Sequence, residues 1–360
     1  MCVTVVPQDA LTERLFHSTI HALELLGIYL GRTLGLYRAL RDHGPLRSAE
    51  LAALARVHER YAREWLEQQA VAGFLVVETE ADEAEARRYR LPDDYVGVLA
   101  NEDHPAHVAP FAHMIVGIAQ AMPEVVKAYR QGTGVAYSRF GDDFRFGQAG
   151  INRPAFVADL TNEWLPAVND LHAHLTRTKR PRIADVGCGA GWSTIALARA
   201  YPHAQVIGFD LDAASIADAR RNAADAGVAV EFRCADAATI ATSEPFDLLT
   251  MLETLHDLSH PRDVLAALRD ALTTDGSLFI ADERVAEEFT APGDELERMM
   301  YGWSITHCLP SGMAESGASP IGTAIRPATV RRLAQEAGFG SCEILPIPNL
   351  LFRFYRLRRR

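Results

Sequence analysis

Residues 182–202, RIADVGCGAGWSTIALARAYP, contain the pattern that decides the fold of this chain. A short apolar run ends at three glycines, Gly187, Gly189 and Gly191, and an apolar-periodic segment then begins at Ser193. This order predicts a strand, a tight turn and a helix. Glycines suit such a turn because a side chain would forbid some of its backbone angles, and because the backbone must approach a ligand above the helix N-terminus. The stretch therefore predicts a ligand site at the end of a strand.

Three acidic residues stand in register with this glycine turn. Asp185 precedes the first glycine, Asp210 ends the next predicted strand, and Asp236 follows the third. Asp210 can accept hydrogen bonds from both hydroxyls of a ribose, and Asp236 can accept one from an adenine amino group. Trp192 stands where a dinucleotide-binding turn has its third glycine, which disfavours a pyrophosphate. A ribose, an adenine and a cationic amino-acid tail suit the three acids better, although a single aspartate at a strand end can also cap a helix.

These motifs resemble those of the class I S-adenosylmethionine-dependent methyltransferases, and the resemblance extends over residues 179–357. It implies S-adenosylmethionine as the cofactor and S-adenosylhomocysteine as the product. It also implies a Rossmann-like α/β fold, with a seven-stranded methyltransferase sheet that ends in an antiparallel hairpin. The cofactor-binding residues that it implies are Asp185, Gly187, Gly189, Gly191, Asp210, Leu211, Asp236, Ala237 and Leu252.

The sequence from Lys179 onward alternates between strand and helix signals, as expected for a doubly wound sheet. Strands are predicted over residues 182–186, 205–209, 229–233, 246–252 and 277–282, and a helix is predicted over 329–337. The terminal hairpin is predicted over residues 341–345 and 351–357. We expect three domains: 1–100, 101–178 and 179–360.

The first hundred residues carry a helix, turn, helix and hairpin pattern that is typical of a mainly helical winged-helix domain. Apolar spacing predicts helices over residues 10–42, 49–55 and 59–72, with Ser48 as a cap, and strands over 74–77 and 88–91 around an acidic loop, 78–85. This region contains 11 Arg and no Lys against 15 Asp plus Glu. Because phosphate contacts dominate affinity for DNA, the acidic balance predicts packing or dimerisation instead. The small-molecule O-methyltransferase branch, which this domain resembles, implies a homodimer.

The middle region, residues 101–178, is predicted as a helical linker with helices over 108–129 and 153–175. Between them lies a long stretch, 132–150, that is rich in glycine and aromatic residues. A connection of this length is usually functional or disordered. The aromatic residues favour a loop that covers a pocket, with Tyr137 as a candidate substrate contact.

Candidate acceptor-side residues follow the fourth strand of the predicted sheet. His256 and Asp257 stand at the carboxyl edge, where doubly wound sheets bind ligands, and the O-methyltransferase resemblance implies that they supply a catalytic base. His256 could equally be a structural loop residue, because Leu258 and His260 replace the usual tryptophan and acid after it. A later segment offers Tyr301, Trp303 and His307 as further substrate-lining candidates, although helix packing is an alternative role for each.

Composition limits the remaining classes of function. The chain has 360 residues, 48% of them hydrophobic, and a net charge of −11, so we expect a globular protein without affinity for nucleic acid or membrane. Its five cysteines form no CxxC pair and no signal peptide is evident, which predicts a cytoplasmic protein. Two histidine groups, His17 with His21 and His104 with His107 and His113, lack a known ligand pattern, so we predict no metal.

The sequence thus predicts a methyltransferase that acts on a small, apolar or aromatic acceptor at oxygen, with nitrogen or carbon as other possible atoms. Two alternatives stay open. One is a ligand-sensing winged-helix transcription regulator that keeps a cofactor-binding fold. The other is a nicotinamide oxidoreductase, which Trp192 and the terminal hairpin oppose.

Overall fold

The computed structural model describes residues 7–79, 83–240 and 244–359, so residues 80–82 of the predicted acidic loop lie outside the described part. The chain forms two compact units. The first unit comprises the residues up to Gly117 together with Phe146–Pro154, and the second comprises Ile118–Arg145 with Ala155–Arg360. The stretch predicted as a separate linker, 101–178, therefore divides between the two units.

The first unit contains the predicted winged-helix elements. Its helices are α1 Gln8–Thr33, α2 Leu36–His43, α3 Ser48–Ala55, α4 Glu59–Val71 and α5 Asp93–Leu99, and its strands are β1 Val76–Thr79 and β2 Arg88–Arg90. The prediction that Ser48 caps a helix is wrong. The Ser48 hydroxyl donates to Glu59 at 2.6 Å, whereas the Glu50 carboxylate accepts the backbone N–H of Arg47 at 2.8 Å. Glu50 therefore satisfies a free amide at the start of α3.

Glycines explain how the first two helices meet their neighbours. A side chain at Gly31 would lie 2.5 Å from Tyr37 and 2.6 Å from Trp65, so this position permits close packing. Gly35 has a φ of 69° and ends the helical run between α1 and α2. Gly31 therefore allows α1 to pack closely on α2 and α4, and Gly35 allows the chain to turn between α1 and α2.

The prediction of a long loop over residues 132–150 is wrong. The helices here are α6 Phe111–Gln131, α7 Gly141–Asp159 and α8 Asn169–Arg177. A 3₁₀ turn, Tyr137–Phe140, leads into α7, which continues as a π turn over Leu160–Trp164. Phe140 and Phe144 are four residues apart and both are buried, so their spacing reflects a helix face. The Val135 N–H donates to the carbonyl of Pro310 at 2.8 Å and ties the remaining irregular residues down.

The second unit is built on a seven-stranded sheet, which confirms the predicted fold class. Its strands are β3 Arg182–Val186, β4 Gln205–Asp210, β5 Glu231–Cys234, β6 Phe246–Leu252, β7 Leu272–Glu283, β8 Ser341–Leu345 and β9 Phe352–Arg358. Its remaining helices are α9 Trp192–Ala200, α10 Ala213–Asp225, α11 Pro261–Ala271, α12 Glu295–Trp303, α13 Leu309–Gly312 and α14 Pro327–Glu336. Apolar residues that alternate along the strands divide between two buried clusters, as expected when both faces of a sheet are covered.

The strand order is β5-β4-β3-β6-β7-β9-β8. Strands β3 to β7 pair in parallel, and β9 pairs antiparallel with both β7 and β8. The order in which strands are added reverses at β3, because β4 and β5 lie on one side of it and β6 and β7 lie on the other. In such sheets ligands bind beyond the carboxyl ends of the strands at this switch point. Among the described residues, no helix combines the length and apolar character needed to cross a bilayer.

Candidate active site

The three glycines after β3 serve different purposes. A side chain at Gly187 would lie 2.4 Å from the Thr254 hydroxyl, and one at Gly191 would lie 2.8 Å from both Ala219 and Phe232. These two glycines therefore permit packing inside the domain. Gly189 has a φ of 49°, and a side chain built on it would meet nothing within 4 Å. Gly189 is thus the member of the turn that borders open space, where the backbone can approach a ligand.

Asp210 links the second strand of the sheet to this turn. One carboxylate oxygen accepts the Gly189 N–H at 2.8 Å, and the other accepts the Asp212 N–H at 2.8 Å. Burial raises the pKa of Asp210 to about 6, although these two backbone hydrogen bonds act in the opposite direction. Because each carboxylate oxygen has a further lone pair, the group can still accept two hydroxyl donors.

Asp185 lies two residues before Gly187, the first glycine of the turn, but its side chain faces inward. Its side chain is buried, and it accepts hydrogen bonds from the hydroxyls of Ser193 and Thr194 at 2.6 Å each and of Thr250 at 2.8 Å. Burial raises the pKa of this carboxyl, and the three hydroxyls partly offset that change. Asp185 therefore joins β3, α9 and β6, and it shapes the turn from below. Its predicted contact with the cofactor stays a prediction.

The other predicted cofactor residues occupy three kinds of environment. Leu211 is an exposed apolar side chain next to Asp210. Asp236 is exposed and accepts the Ala238 N–H at 2.8 Å, so it caps the short turn in which half-buried Ala237 lies. Leu252 is buried in the core on one face of the sheet. Its side chain therefore contributes to packing, and the backbone that follows it is what reaches the carboxyl edge.

That backbone has an unusual conformation at Glu253, which the sequence did not reveal. Glu253 has a φ of 51°, and its N–H donates to the Ala281 carbonyl at 2.8 Å. Non-glycine residues rarely adopt such angles, and they cluster at functional sites where the surrounding structure holds them. Burial, followed by the nearby Glu253 carboxylate, raises the pKa of buried Glu283 well above its usual range. Acidic groups are therefore concentrated at this edge of the sheet.

His256 lies between two aspartates, just after β6. Its imidazole Nδ1 lies 2.7 Å from Asp282 Oδ1, and its Nε2 lies 3.3 Å from Asp257 Oδ1. Burial alone would lower the pKa of His256, but Asp257 and Asp282 together raise it well above its usual range. The hydrogen bond to Asp282 fixes the orientation of the ring and leaves Nε2 as the nitrogen that can exchange a proton.

His307 and Cys308 come to the same place from a π turn, Ser304–Cys308, that continues α12. The His307 Nδ1 lies 3.5 Å from the Cys308 sulfur, and the Cys308 thiol also contacts the His256 imidazole. Burial lowers the pKa of His307 to about 4 and raises that of Cys308 to about 12. Both groups are therefore neutral near pH 7. Single π turns inside α-helices occur frequently at functional sites.

An aromatic cluster surrounds His307. Its ring stacks on Phe144 with centroids 3.8 Å apart, and it contacts the edges of Phe140 at 4.4 Å and Tyr137 at 5.7 Å. Burial, followed by the carboxylates Asp210, Asp212 and Asp257, raises the pKa of the Tyr137 hydroxyl. The Tyr137 hydroxyl is thus close enough to interact electrostatically with Asp210, beside the glycine turn, and with Asp257, beside His256. The structure brings the predicted residues Tyr137 and His307 together.

The two remaining substrate candidates lie on α12. Tyr301 is exposed, and its hydroxyl lies 3.4 Å from the guanidinium of Arg326. Its ring lies edge-on to that of Phe289, with the ring centroids 6.5 Å apart. Trp303 is half-buried and precedes His307 by four residues. Tyr301 therefore contacts residues outside the aromatic cluster, and its role as a substrate contact stays a prediction.

Sequence reasoning assigned no role to Asp282 or Cys308, and it did not predict the strained backbone at Glu253. A signal existed for Asp282, because it stands near the carboxyl end of β7, in the strand next to the one that precedes His256. Cys308 could not be found in this way, since about fifty residues separate it from His256 and a π turn sets its direction. The positive φ at Glu253 has no signal in the sequence, because glutamate rarely adopts a left-handed backbone conformation.

The residues around the turn fit an adenosyl ligand with a methionine tail. Gly189 leaves open space that a side chain would occupy, Asp210 retains lone pairs for ribose hydroxyls, and Leu211 offers an exposed apolar surface for a flat base. The surrounding carboxylates also favour a ligand with a cationic group.

Comparisons with known proteins agree with this geometry. Residues 178–338 match the model of a methyltransferase domain family, and residues 22–101 match that of the Rv2258c-like winged HTH domain. The ubiquinone biosynthesis O-methyltransferase of Idiomarina loihiensis is 34% identical over 102 residues, which cover 28% of this chain and 41% of that protein. Its counterpart from Thiobacillus denitrificans is 29% identical over 209 residues, which cover 55% of this chain and 84% of that protein.

Two solved structures share the fold over nearly the whole chain. Human N-acetylserotonin methyltransferase, solved in complex with S-adenosylmethionine, has a TM-score of 0.70, 16% identity and coverage of 99% of both chains. An O-methyltransferase family protein from Burkholderia thailandensis has a TM-score of 0.68, 16% identity and coverage of 99% of both chains. The domain matches together show that the chain carries a methyltransferase domain preceded by a winged-helix domain, and the two solved structures share its fold.

Proposed function

We propose that this protein transfers a methyl group from S-adenosylmethionine to an oxygen atom of a small, apolar or aromatic acceptor. The observation that carries the proposal is the pairing of His256 with Asp282 at 2.7 Å, at the same sheet edge as the glycine turn and Asp210. A base is required when the accepting atom starts as a protonated hydroxyl, and an oriented histidine supplies one. The names of the two ubiquinone-biosynthesis relatives also favour oxygen.

The donor side of the site acts by positioning. S-adenosylmethionine supplies an electrophilic methyl group on a sulfonium when it is bound. Asp210 would accept the two ribose hydroxyls, Leu211 and Ala237 would flank the adenine, and Asp236 would turn from its backbone partner toward the adenine amino group. The Gly189 backbone would lie against the methionine portion. Such placement contributes most of the rate enhancement in an in-line displacement, because the reacting atoms must be aligned.

The acceptor side of the site handles a proton. His256 Nε2 would take the hydroxyl proton as the new oxygen–carbon bond forms and the sulfur–carbon bond breaks. Asp282 would hold Nδ1–H and stabilise the imidazolium that results. Because the two aspartates raise the pKa of His256, its neutral form is a stronger base than a free imidazole and forms at a higher pH. Activity should therefore rise as the pH increases above neutrality.

The aromatic cluster supports an apolar or aromatic acceptor. Phe140, Phe144 and Tyr137 surround a neutral His307, which precedes Cys308 in the chain, so an aromatic surface lies close to the proposed base. Aromatic rings favour stacked or edge-on contacts with a flat ligand. Among the described residues, His307 Nε2 is buried without a hydrogen-bond partner, and it could recognise a polar group on the acceptor.

Calorimetric titration with S-adenosylmethionine and S-adenosylhomocysteine tests the donor half of the proposal. We expect one site per chain, and no heat at millimolar cofactor would refute it. A panel of phenols, hydroxyquinones and matching aromatic amines, assayed for S-adenosylhomocysteine release, tests the acceptor half. Turnover of the amines without the phenols would reassign the accepting atom to nitrogen.

We also propose that the protein is a homodimer that uses α1. This helix and the residue that follows it present an exposed apolar stripe formed by Leu11, Leu15, Phe16, Leu23, Leu26, Leu30 and Leu34. An apolar patch of this extent on a helix commonly marks a protein interface. Sedimentation should give a dimer for the native chain and a monomer for Leu23→Glu, while Val71→Glu, at an exposed position outside the stripe, should remain dimeric.

The described surface of α4 supports the absence of a nucleic-acid partner. Arg60 pairs with Glu64, and Arg63 pairs with Glu85 and, at 3.6 Å, with Glu59. Arginines that are already paired with carboxylates contribute little to phosphate binding. Retention on DNA that decreases with salt would contradict this proposal.

A further inference from the structure

Three side chains of different chemistry converge beside the proposed base. His256, Asp257 and Cys308 each direct one potential ligand atom toward the others, and these three atoms all lie within 4.8 Å of one another. Asp257 follows His256 directly, whereas Cys308 arrives from the π turn after α12. A nitrogen, an oxygen and a sulfur ligand thus meet at one point.

The spacing of the nitrogen and oxygen atoms matches that of a tetrahedral metal site. Zinc–nitrogen and zinc–oxygen bonds are about 2.0–2.2 Å, so two such ligands at a tetrahedral angle lie roughly 3.3–3.5 Å apart. The distance from His256 Nε2 to Asp257 Oδ1 is 3.3 Å, which is long for a hydrogen bond. These atoms can therefore share a metal ion with little rearrangement.

The groups behind the ligand atoms also fit a metal site. His256 Nδ1 lies 2.7 Å from Asp282, and a histidine that binds metal usually donates its other ring N–H to such a carboxylate. Asp257 Oδ1 is buried and lacks a hydrogen-bond partner among the described residues. A buried carboxylate oxygen without a partner is costly, and a bound cation would satisfy it.

We propose that His256, Asp257 and Cys308 form a zinc site, with three protein ligands and one open position. Zinc is favoured because thiolate, imidazole and carboxylate ligands together suit this borderline metal, whereas magnesium and calcium prefer oxygen ligands alone. Binding releases the thiol proton and any proton on Nε2 to the solvent.

Zinc at this site inhibits methyl transfer, a consequence that rests on the proposed function. The metal would occupy Nε2, the nitrogen that otherwise takes the acceptor proton. The donor residues around Gly189 and Asp210 are separate from the three ligands, so zinc should leave the affinity for S-adenosylmethionine unchanged within about twofold.

Cobalt substitution tests the site without an activity assay. The full-length protein, stripped of metal by a chelator, is titrated with Co²⁺ and with Zn²⁺. We expect one equivalent of cobalt to produce a thiolate-to-cobalt charge-transfer band, which Zn²⁺ then removes. The band should be absent in Cys308→Ser and Asp257→Asn and unchanged in Cys342→Ser, a matched substitution in β8, with thermal melts to check folding. No band in the native protein, or a band that persists in Cys308→Ser, would overturn the site.

A second measurement separates regulation from binding. In the native protein, one equivalent of Zn²⁺ should reduce S-adenosylhomocysteine formation at least tenfold, and a chelator should restore it. Whatever rate Cys308→Ser retains should not respond to zinc. A native rate that does not change when the cobalt site is filled would overturn the inhibition. If no acceptor is turned over, the proposed methyl transfer fails while the cobalt band still decides whether the site exists.

Discussion

Two regions at the carboxyl edge of the sheet are organised in opposite ways: the donor end, around Gly189 and Asp210, and the acceptor end, around His256. At the donor end, Asp210 accepts backbone N–H groups from Gly189 and Asp212, and Asp185 accepts three hydroxyls, so each carboxylate is held by neutral donors. At the acceptor end, His256 lies between Asp257 and Asp282, so charged groups face one another. The first arrangement prepares a fixed surface for a ligand. The second raises the proton affinity of one group, which is what proton transfer requires.

The largest expected effect is a loss of kcat without a loss of cofactor affinity, caused by a change at His256. His256→Gln should lower kcat by about 10²–10⁴-fold, because it removes the base and keeps a polar side chain of similar length. Its affinity for S-adenosylmethionine should stay within about threefold of the native value. Initial rates of S-adenosylhomocysteine formation and calorimetry would measure the two effects. A kcat within threefold of native would show that His256 is a structural residue.

The next largest effect is a loss of affinity for S-adenosylmethionine, caused by a change at Asp210. Asp210→Asn should weaken S-adenosylmethionine binding by about 100-fold, since it removes the charge from the group that accepts the ribose hydroxyls. Calorimetry on Asp210→Asn can be compared with Asp225→Asn, an exposed change at the end of α10 that should bind normally. Equal affinities for the two variants would remove Asp210 from the cofactor site.

A smaller effect tests the positioning role of Asp282. Asp282→Asn should lower kcat by about tenfold, which corresponds to about 1.4 kcal/mol for one weakened hydrogen bond. Because the Asp282 carboxylate helps to raise the pKa of His256, the variant should have a lower imidazole pKa and a pH–rate profile that rises at lower pH. NMR of histidine-labelled protein, with His256→Gln to assign the signal, measures this pKa directly. An unchanged titration would assign Asp282 a purely structural role.

The pH dependence of cofactor affinity should also differ between the two ends. Burial raises the pKa of Asp210 to about 6, and ribose hydroxyls donate to its ionised form. Binding therefore favours the carboxylate, so affinity should increase as the pH rises through about 6. We expect binding about tenfold weaker at pH 5 than at pH 7, measured by calorimetry. Asp210→Asn should lose this dependence, and a flat native profile would contradict the prediction.

The smallest effect distinguishes two glycines of one turn. Gly189→Ala should fold but bind S-adenosylmethionine several-fold more weakly, because its new side chain enters the open space above the turn. Gly187→Ala should lower Tm more, since its side chain would clash with Thr254 in addition to the strain of a φ of 71°. Melting curves and calorimetry on both variants would compare these effects. A normal affinity in Gly189→Ala would place the ligand elsewhere.

Much of the fold could be predicted because local patterns carry it. The strands β3, β6 and β8 match their predicted bounds, and the antiparallel terminal hairpin is confirmed. The prediction for residues 132–150 was wrong because their glycines and aromatic residues were interpreted as a loop, although Phe140 and Phe144 have helical spacing. Strand β7 begins five residues earlier than predicted, at Leu272, where it pairs with Phe246. That pairing is a long-range contact, which local periodicity does not report.

The sequence by itself determined the glycine turn at Gly187–Gly191, the strand that ends at Asp210 and the position of His256, because each depends on neighbours a few residues away. Tertiary structure decided that Gly189 borders open space, that Asp185 faces inward, and that Asp282 and Cys308 meet His256. These contacts join segments 26 and about 50 residues apart along the chain. The order of strands in the sheet and a π turn bring them together, and neither is encoded in the residues that meet.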